Sequence, residues 1–404
     1  MLSLADARAK VFEVVSRSRG PILSESVPLA ESAGRVLAEA IVADRDYPPF
    51  DRSTRDGFAV RASEVKQADA TLEIIGEARA GTAFTGTIGP GQCVEIMTGA
   101  AVPSGVDAVI MVEYARIEGR RVRFDRAVRP GENIVPRGTE SRAGAELLAA
   151  GTCIGAAEMG VAAQVGSARI EVARRPRLAI LSTGDEVVGI ADAPGPLEVR
   201  NSNCASIGML ARLAGAEPVP LGNARDDKNE LRRSIERGLE ADVLVLSGGV
   251  SAGKYDLVEP VLHELGAEFF FDSVAIRPGK PVVFSTCRGK FIFGLPGNPA
   301  STMVTFELFV RPALELLVGA EARDMPIVAA KLAAPVRLKS ALTYFLPARL
   351  ELCDGGPVVR ELPWPSSGDI VALAHATGFI VVRPERLGMA AGEWADYWPR
   401  RDAL

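Results

Sequence analysis

Four short loops carry the residue types that could bind a charged ligand. They follow predicted strands at residues 178–182, 219–221, 243–247 and 291–295, and they read TGDE (183–186), NARDD (223–227), GGVSAG (248–253) and PGNPAS (296–301). In an open parallel sheet, the loops at the carboxyl ends of the strands meet in one crevice, where ligands bind. The sequence therefore predicts one shared site for a phosphorylated, anionic ligand and a metal ion.

Carboxylates from three loops of this region could together bind a divalent cation. Glu186, Asp226 and Asp256 offer the oxygen ligands that a hard cation such as Mg²⁺ prefers. Asp227 has a simpler explanation, because a helical pattern follows it at residues 228–239 and an aspartate is a good helix cap. Asp226 is therefore the carboxylate of this loop that is left for a ligand.

Two loops could bind an oxyanion. Gly248 and Gly249 would let backbone N–H groups approach a phosphate, and Ser251 adds a hydroxyl donor, although a plain tight turn is an equal alternative. Arg277 and Lys280 lie on a turn that two prolines stiffen. A stiff turn with two cations loses little flexibility on binding, which favours an oxyanion site over a solvated surface turn.

One motif comes close to a nucleoside triphosphate site. Residues 248–254 read GGVSAGK, which matches the G-x-x-x-x-G-K of a P-loop, but Tyr255 stands where Ser or Thr should bind Mg²⁺. The helical pattern also begins only after Asp256, too late to continue the loop. Nucleoside triphosphate hydrolysis is therefore disfavoured.

Composition excludes several other classes of function. The 404 residues include five widely spaced cysteines and two histidines, which argues against zinc knuckles, iron–sulfur centres and a disulfide framework. The net charge of −5 gives no general attraction to nucleic acid or to a membrane surface. No apolar run reaches the ~18 residues that span a bilayer. We expect a cytoplasmic enzyme with a small-molecule ligand.

Changes in residue composition and hydrophobic pattern divide the chain into predicted domains. A capping box at Ser3 opens a helical stretch, short β-runs follow, then apolar strands alternate with capped helices, and short strands return at the end. The predicted fold is multidomain α/β, with a central doubly wound parallel sheet, a β-rich inserted domain and a C-terminal small β-barrel or sandwich. The predicted domains are residues 1–44 with 141–174, then 45–140, 175–324 and 325–404.

Six motifs together give the chain a family resemblance. They are residues 48–60 (PPFDRSTRDGFAV), 96–100 (IMTGA), 182–186 (STGDE), 247–251 (SGGVS), 277–281 (RPGKP) and 294–299 (GLPGNP). They span nearly the whole chain in one order, so the set is specific although each motif alone is weak. The chain resembles the molybdopterin molybdenumtransferases, the MoeA and gephyrin E-domain family.

The resemblance implies a fold and an activity. The expected molecule is an elongated homodimer of four domains, of which the second is inserted in the first, the third is MogA-like and binds molybdopterin, and the fourth is a β-barrel. The expected enzyme takes adenylylated molybdopterin and molybdate, releases AMP and forms molybdenum-loaded molybdopterin, assisted by Mg²⁺. Expected partner proteins are a molybdopterin adenylyltransferase and the molybdoenzymes that receive the product, with no nucleic acid and no membrane.

The resemblance also implies site residues. The catalytic or metal-contacting positions are Asp56, Thr98, Glu186, Asp226 and Asp256. The substrate-contacting or anion-contacting positions are Ser53, Thr183, Gly248, Gly249, Ser251, Arg277, Lys280, Pro281, Pro296, Asn298 and Ser301. The positions in the inserted domain are expected to reach the third domain of the other subunit, so that a dimer is required for activity.

One family motif is missing, and two other functions stay open. The Gly-Arg of the fourth domain has no counterpart at residues 339–345, where Arg337, Arg349 or residues 366–368 could replace its anion contact. An adenylyltransferase of the related fold is disfavoured because the flanking domains also match. A scaffold without turnover is disfavoured because the ligand loops retain their carboxylates.

Overall fold

The computed structural model describes residues 1–249, 257–322 and 324–403. The predicted site residues Ser251 and Asp256 lie outside these ranges. All five cysteines are free. In the described part of the chain, no helix has both the length and the apolar character needed to cross a membrane.

The central α/β domain is built on a six-stranded sheet. Its parallel strands, in spatial order, are Glu217–Ala224, Arg177–Thr183, Val243–Ser247 and Lys290–Leu295. This confirms the predicted parallel sheet for the four strands that run into the ligand loops. Two antiparallel strands, Pro281–Cys287 and Glu268–Ser273, extend the sheet at one edge. The reversal follows from a two-residue hairpin turn in which Arg288 and Gly289 both have positive φ.

Helices cover both faces of this sheet. On one face, Ile207 of the helix Ser202–Leu213 belongs to the same buried cluster as Ile180. On the other face, the neighbouring strand residue Ala179 belongs to a cluster with Ile235, and this cluster is covered by the helices Lys228–Gly238 and Val258–Glu264. Successive strand residues point to opposite faces, so a strand buried on both sides is continuously apolar. The doubly wound arrangement is confirmed.

The N-terminal helix Leu4–Ser18 packs onto the α/β domain. Ser3 caps the helix by accepting a hydrogen bond from the Asp6 N–H at 3.1 Å, as predicted. The apolar face of the helix is buried in the same cluster as Phe309 and Leu314. Those residues belong to the helical run that follows the last parallel strand, which consists of Pro299–Thr305, a π-helical turn Phe306–Val310 and Arg311–Leu317.

Strand pairs far apart in sequence form the remainder of the first structural unit. Ser24–Pro28 pairs with Arg169–Ala173, and Ile41–Val42 pairs with Glu146–Leu148, with the helix Ala156–Gln164 beside them. The chain therefore leaves this unit after the second strand and returns to it about a hundred residues later. The segment between is the inserted β-rich domain, whose main sheet contains Ala108–Met111, Gly57–Val60, Gln92–Ile96, Thr71–Ala78, Arg121–Phe124 and Ala115–Glu118.

The C-terminal domain is a closed five-stranded barrel. Its strands, in spatial order, are Thr343–Cys353, Gly356–Glu361, Val328–Leu332, Trp394–Pro399 and Gly378–Val382. The barrel closes because the long strand Thr343–Cys353 pairs with both of its neighbours. A two-residue strand of the α/β domain, Ile276–Arg277, pairs in parallel with the start of that long strand. The barrel is therefore joined directly to the loop that carries Arg277.

Candidate functional site

A large cavity lies at the carboxyl ends of the parallel strands. It has a volume of about 830 Å³ and is lined by loops from all four of those strands. Of the predicted site residues it brings together Thr183, Glu186, Asp226, Gly248, Gly249, Pro281, Pro296 and Asn298. We refer to it as the first cavity.

A glycine turn forms one wall of the first cavity. Gly248 and Gly249 have φ values of +93° and +63°, a conformation that residues with a side chain rarely adopt. A Cβ atom on Gly249 would lie 2.7 Å from the Thr183 Oγ1, and one on Gly248 would lie 2.8 Å from the Thr183 carbonyl oxygen. The Thr183 hydroxyl is buried and has no hydrogen-bond partner within the described ranges. Both glycines are therefore required for the close approach of these two loops.

Two carboxylates, Glu186 and Asp226, also line the first cavity. The Asp226 N–H donates a hydrogen bond of 3.2 Å to the Asp185 carboxylate. Burial, and then the charges of Asp185 and Glu186, raise the pKa of Asp226. A carboxylate whose charge is disfavoured by its neighbours gains most from a bound cation. In the described parts of the chain, no three metal-ligating side chains are close enough to hold an ion, and the predicted third ligand, Asp256, is outside them.

Two asparagines that the sequence did not reveal as site residues, Asn201 and Asn203, line the same cavity. The Asn201 side chain caps the helix Ser202–Leu213 by accepting from the Cys204 N–H, and it also accepts from the Ser182 hydroxyl at 3.0 Å. The Asn203 amide donates to the Ser247 hydroxyl and to the Gly297 carbonyl at 2.9 and 2.7 Å. Its Oδ1 atom has no partner in the described structure, so it can accept a hydrogen bond from a ligand.

A second cavity of about 530 Å³ lies between the α/β domain and the barrel. Arg277 and Lys280 line it from the α/β side, while Arg337 and Lys339 line it from the barrel side. None of these four cations has a carboxylate within 4 Å in the described part of the molecule. The predicted anion-binding residue Ser301 also lines this cavity. The four unpaired cations make it suitable for an oxyanion.

The two cavities share a wall. Pro281, Pro296 and Asn298 line both of them. The Asn298 side chain donates a hydrogen bond of 2.9 Å to the Ser367 hydroxyl of the C-terminal domain, and the Ser367 carbonyl accepts from the Ala300 N–H at 3.0 Å. These bonds hold the two domains together at the boundary between the cavities.

The barrel supplies cations although the family's Gly-Arg is missing. Arg337 and Lys339 line the second cavity together with Ser366 and Ser367, whereas Arg349 lines neither cavity. Arg337 is held by the strand pair Val336–Arg337 with Gly388–Met389. The sequence could propose these groups only as alternatives, because the path of the barrel strands decides which of them faces the cavity.

The predicted residues of the inserted domain form a separate pair. The Thr98 backbone N–H and hydroxyl donate to one oxygen of Asp56, at 2.6 and 2.8 Å. These hydrogen bonds lower the pKa of Asp56, so its carboxylate is ionised at neutral pH. The third predicted residue, Ser53, donates to the Arg55 carbonyl at 2.6 Å. Within one chain, these residues line neither of the two cavities.

Three family models match successive parts of the chain. They are the MoeA N-terminal region (domains I and II) over residues 2–166, a probable molybdopterin-binding domain over residues 179–316, and the MoeA C-terminal region (domain IV) over residues 329–399. The first two cover the inserted domain and the strand-end loops, and the third covers the barrel.

Individual proteins match over most of their length. The molybdopterin molybdenumtransferase of Nostoc sp. is 38% identical over 327 residues, which is 79% of this chain and 75% of the relative. The enzyme of the same name from Staphylococcus epidermidis is 34% identical over 92% of this chain and 90% of its own. The crystal structure of a molybdopterin biosynthesis MoeA protein from Pyrococcus horikoshii superposes with a TM-score of 0.81, at 26% identity, over 99% of this chain and all of the other.

The chain belongs to the MoeA family. The first cavity is formed mainly by the region that matches the probable molybdopterin-binding domain. The second cavity lies between that domain and the MoeA C-terminal region. The pair of Asp56 and Thr98 belongs to the MoeA N-terminal region.

Proposed function

We propose that this chain, a molybdopterin molybdenumtransferase of the MoeA family, takes adenylylated molybdopterin and molybdate, releases AMP and leaves molybdenum on the pterin dithiolene. The observation that carries the proposal is the pair of adjoining cavities with opposite charge. A cavity with carboxylates and a glycine turn suits a phosphorylated ligand that arrives with a cation. A cavity with four unpaired cations suits a free oxyanion.

The adenylylated pterin is assigned to the first cavity. Its volume of about 830 Å³ is in the range of pockets that bury a large organic ligand. The Gly248 N–H donates to the Leu295 carbonyl at 3.1 Å, so the Gly249 N–H is the backbone donor of the glycine turn that can face a phosphate. Asn203, whose amide is fixed by two hydrogen bonds, presents its free Oδ1 to a donor such as an amino group of a purine or a pterin. These groups orient the ligand rather than react with it.

Glu186 and Asp226 would hold a divalent cation such as Mg²⁺, with Asp256 as the further ligand that family resemblance implies. The fit rests on the donor set, because neighbouring carboxylates raise the pKa of Asp226 and a cation would relieve that repulsion. When bound, the ion would neutralise charge on the phosphate groups. Carboxylate oxygens are the ligands that such a hard cation prefers.

Molybdate is assigned to the second cavity. Arg277 and Lys280 would bind it from the α/β side, and Arg337 and Lys339 from the barrel side. Ser301 would add a hydroxyl donor. The shared wall at Pro281, Pro296 and Asn298 places the two substrates next to each other.

The chain's residues would promote the reaction by positioning and by electrostatics. We assign the attacking atom to a molybdate oxygen, which bonds to the adenylyl phosphorus while the bond from that phosphorus to the bridging oxygen breaks. AMP leaves with the transferred oxygen, and the dithiolene sulfurs take its place on molybdenum, whose oxidation state does not change. Phosphoryl transfer of this kind requires charge neutralisation and alignment more than a side-chain nucleophile.

The decisive experiment measures AMP release from adenylylated molybdopterin by the purified protein with Mg²⁺, with and without molybdate. We expect AMP release that depends on molybdate and yields molybdenum-loaded pterin. Absence of AMP release under both conditions would instead support a scaffold. ATP-dependent adenylylation of molybdopterin, without molybdenum loading, would support an adenylyltransferase.

We further propose that the active enzyme is a homodimer in which Asp56 and Thr98 of one subunit complete the site of the other. The support is that this pair lies in the inserted domain and lines neither cavity of its own chain. Mixing Asp56→Ala subunits with Asp226→Ala subunits should restore part of the activity, because each mixed dimer has one intact site. A mixture as inactive as its components, with mixed dimers verified by differential tagging, would contradict the shared site.

The remaining biological assignments follow from the same activity. The proposed partners are a molybdopterin adenylyltransferase that supplies the substrate and molybdoenzymes that accept the product. Five free cysteines, of which Cys93 and Cys287 are buried, suit the reducing conditions of the cytoplasm, where we place the protein.

A further inference from the structure

The second cavity contains one feature that an oxyanion site does not require. Glu361, the last residue of the barrel strand Gly356–Glu361, is the one carboxylate among the described residues that line it. It faces the same space as Arg277 and Lys280 from the α/β domain and Arg337 and Lys339 from the barrel. A carboxylate at this position would normally form an ion pair with such neighbours.

Glu361 forms no such pair. Within 4 Å, its carboxylate meets none of the cations of the described chain. Its hydrogen-bonding neighbour is the Trp364 side chain, which also lines the cavity. The residue as a whole is exposed, but its carboxyl group is partly buried, and this burial raises the pKa of Glu361. The folded protein therefore favours the neutral acid at this position more than water does.

An ionised Glu361 and a dianion would compete for the same cavity. Like charges that share a confined, partly desolvated space repel each other, and the repulsion is relieved when one of them takes up a proton. Molybdate is a dianion without a proton in neutral solution, so it has no hydrogen-bond donor to offer to a carboxylate. Glu361 can take up the proton and then donate its O–H to a molybdate oxygen.

We propose that Glu361 binds the oxyanion in its carboxylic acid form, so that oxyanion binding to the second cavity takes up one proton. The inference rests on the proposed function, which assigns molybdate to this cavity. It makes Glu361 a residue that determines which protonation state of the site is competent for binding, and it gives molybdate uptake a dependence on pH that the four cations alone would not produce.

The other charged side chains that line the described part of the cavity are Arg277, Lys280, Arg337 and Lys339. Tyr344 also lines the cavity, where its hydroxyl is 2.6 Å from the Ser340 hydroxyl. No histidine is found among the described lining residues. Glu361 is thus the group whose proton uptake would be measured.

The experiment is calorimetric titration of the full-length protein with molybdate, repeated in buffers of different ionisation enthalpy between about pH 6.5 and 8.5. For the wild type we expect uptake of close to one proton and a binding constant that falls about tenfold per pH unit above the pKa of Glu361. Glu361→Gln keeps the shape of the side chain and can still accept from Trp364. It should take up no proton and should bind molybdate with an affinity that is nearly independent of pH.

Two further variants make the outcome unambiguous. Glu385→Gln changes an exposed barrel carboxylate that lines neither cavity, and it should keep the wild-type proton uptake. Glu361→Ala removes the donor as well as the charge, so its binding should be independent of pH and weaker than that of Glu361→Gln. The melting temperature of each variant, measured in parallel, shows whether it is folded.

The results separate this inference from the function on which it rests. The role of Glu361 would be overturned if the wild type bound molybdate without proton uptake, or if proton uptake were unchanged in the Glu361 variants. The assignment of an oxyanion to the second cavity would not be affected. A wild type that does not bind molybdate at all would overturn both. Lys280→Met could abolish molybdate binding while proton uptake persisted in Glu361→Gln. This result would support the assignment of molybdate to the second cavity and would overturn the proposed role of Glu361.

Discussion

The two cavities solve the problem of binding an anion in opposite ways. The first is lined by the carboxylates Glu186 and Asp226, so a cation between these side chains and a phosphate would favour binding. The second has four cations and can hold a dianion directly. The charges thus favour different occupants: a bare oxyanion is disfavoured next to the carboxylates of the first cavity, and a metal ion is disfavoured next to the cations of the second.

This contrast teaches where each kind of substitution should act. A change in the first cavity should affect the metal ion and the adenylylated pterin. A change in the second cavity should affect molybdate and leave pterin binding nearly intact. Steady-state kinetics with each substrate varied in turn can separate the two effects, because they change different KM values.

The largest effect is expected for Asp226→Asn. Removing a carboxylate that would hold the metal ion should lower the rate of AMP release by on the order of 100-fold or more, in line with losses at other preorganised electrostatic sites. AMP release should be measured over a range of Mg²⁺ concentrations. A wild-type rate in this variant would contradict the charge assignment of the first cavity.

The same variant carries a prediction for stability. The pKa of Asp226 is raised in the folded protein, so its contribution to stability is present at low pH and is lost as the pH rises through that pKa. At neutral pH the ionised side chain therefore destabilises the fold. Asp226→Asn should unfold at the same temperature as the wild type or at a higher one, and a lower melting temperature would show that the carboxylate instead has a stabilising partner.

Lys280→Met tests the second cavity in the same way. Loss of one of four cations should raise the KM for molybdate by about 10- to 150-fold, the range that corresponds to one charged hydrogen bond of about 1.5–3 kcal/mol. The KM for the adenylylated pterin should change little. Equal effects on both constants would show that the cavities are not specialised.

Gly249→Ala tests the turn that forms the wall of the first cavity. The left-handed backbone conformation and the 2.7 Å contact of the added Cβ with the Thr183 Oγ1 should together cost about 1–3 kcal/mol of unfolding free energy. Chemical denaturation measures this loss. The KM for the pterin should rise because the turn must move, whereas the molybdate affinity should not. Gly266→Ala, also at positive φ but without a neighbour within 4 Å of the added Cβ, is the matched control.

The smallest effect on activity is expected at Asp227, the residue that follows Asp226 in the sequence. The Asp227 carboxylate accepts from the Glu230 N–H at 2.8 Å and caps the helix Lys228–Gly238, which confirms the capping prediction. Asp227→Ala should therefore cost about 1 kcal/mol of stability. Its rate of AMP release should equal that of the wild type, and a large loss of activity would show that the two neighbouring aspartates had been assigned the wrong way round.

The sequence predicted the first cavity better than the second for a physical reason. Strand-end loops can be read locally, because an apolar strand followed by Gly or Asp indicates both the strand and the edge at which it ends. Asn201 could not be recognised in the same way, because an asparagine before a helix is also an ordinary cap, and Asn203 lies in the first turn of that helix, where no local pattern marks it. The residues that they contact, Ser182 and Ser247, lie on two different strands of the sheet.

The second cavity depends on contacts that no local pattern encodes. Arg277 and Arg337 are sixty positions apart, and they meet because the strand Ile276–Arg277 pairs with the barrel strand Thr343–Cys353. The antiparallel edge of the central sheet was also missed. Its two-residue turn has Arg288 at positive φ, where sequence signals favour Asn, Asp or Gly.

The N-terminal helix Leu4–Ser18 has a consequence for dissecting the protein. Its residues Ala7, Val11 and Val15 are fully buried in the cluster that includes Phe309 and Leu314 of the α/β domain. A fragment that began at residue 175 would expose that apolar surface to water and would be prone to aggregate. Recombinant versions of the pterin-binding unit should therefore carry the helix as well, attached by a linker or supplied as a separate peptide.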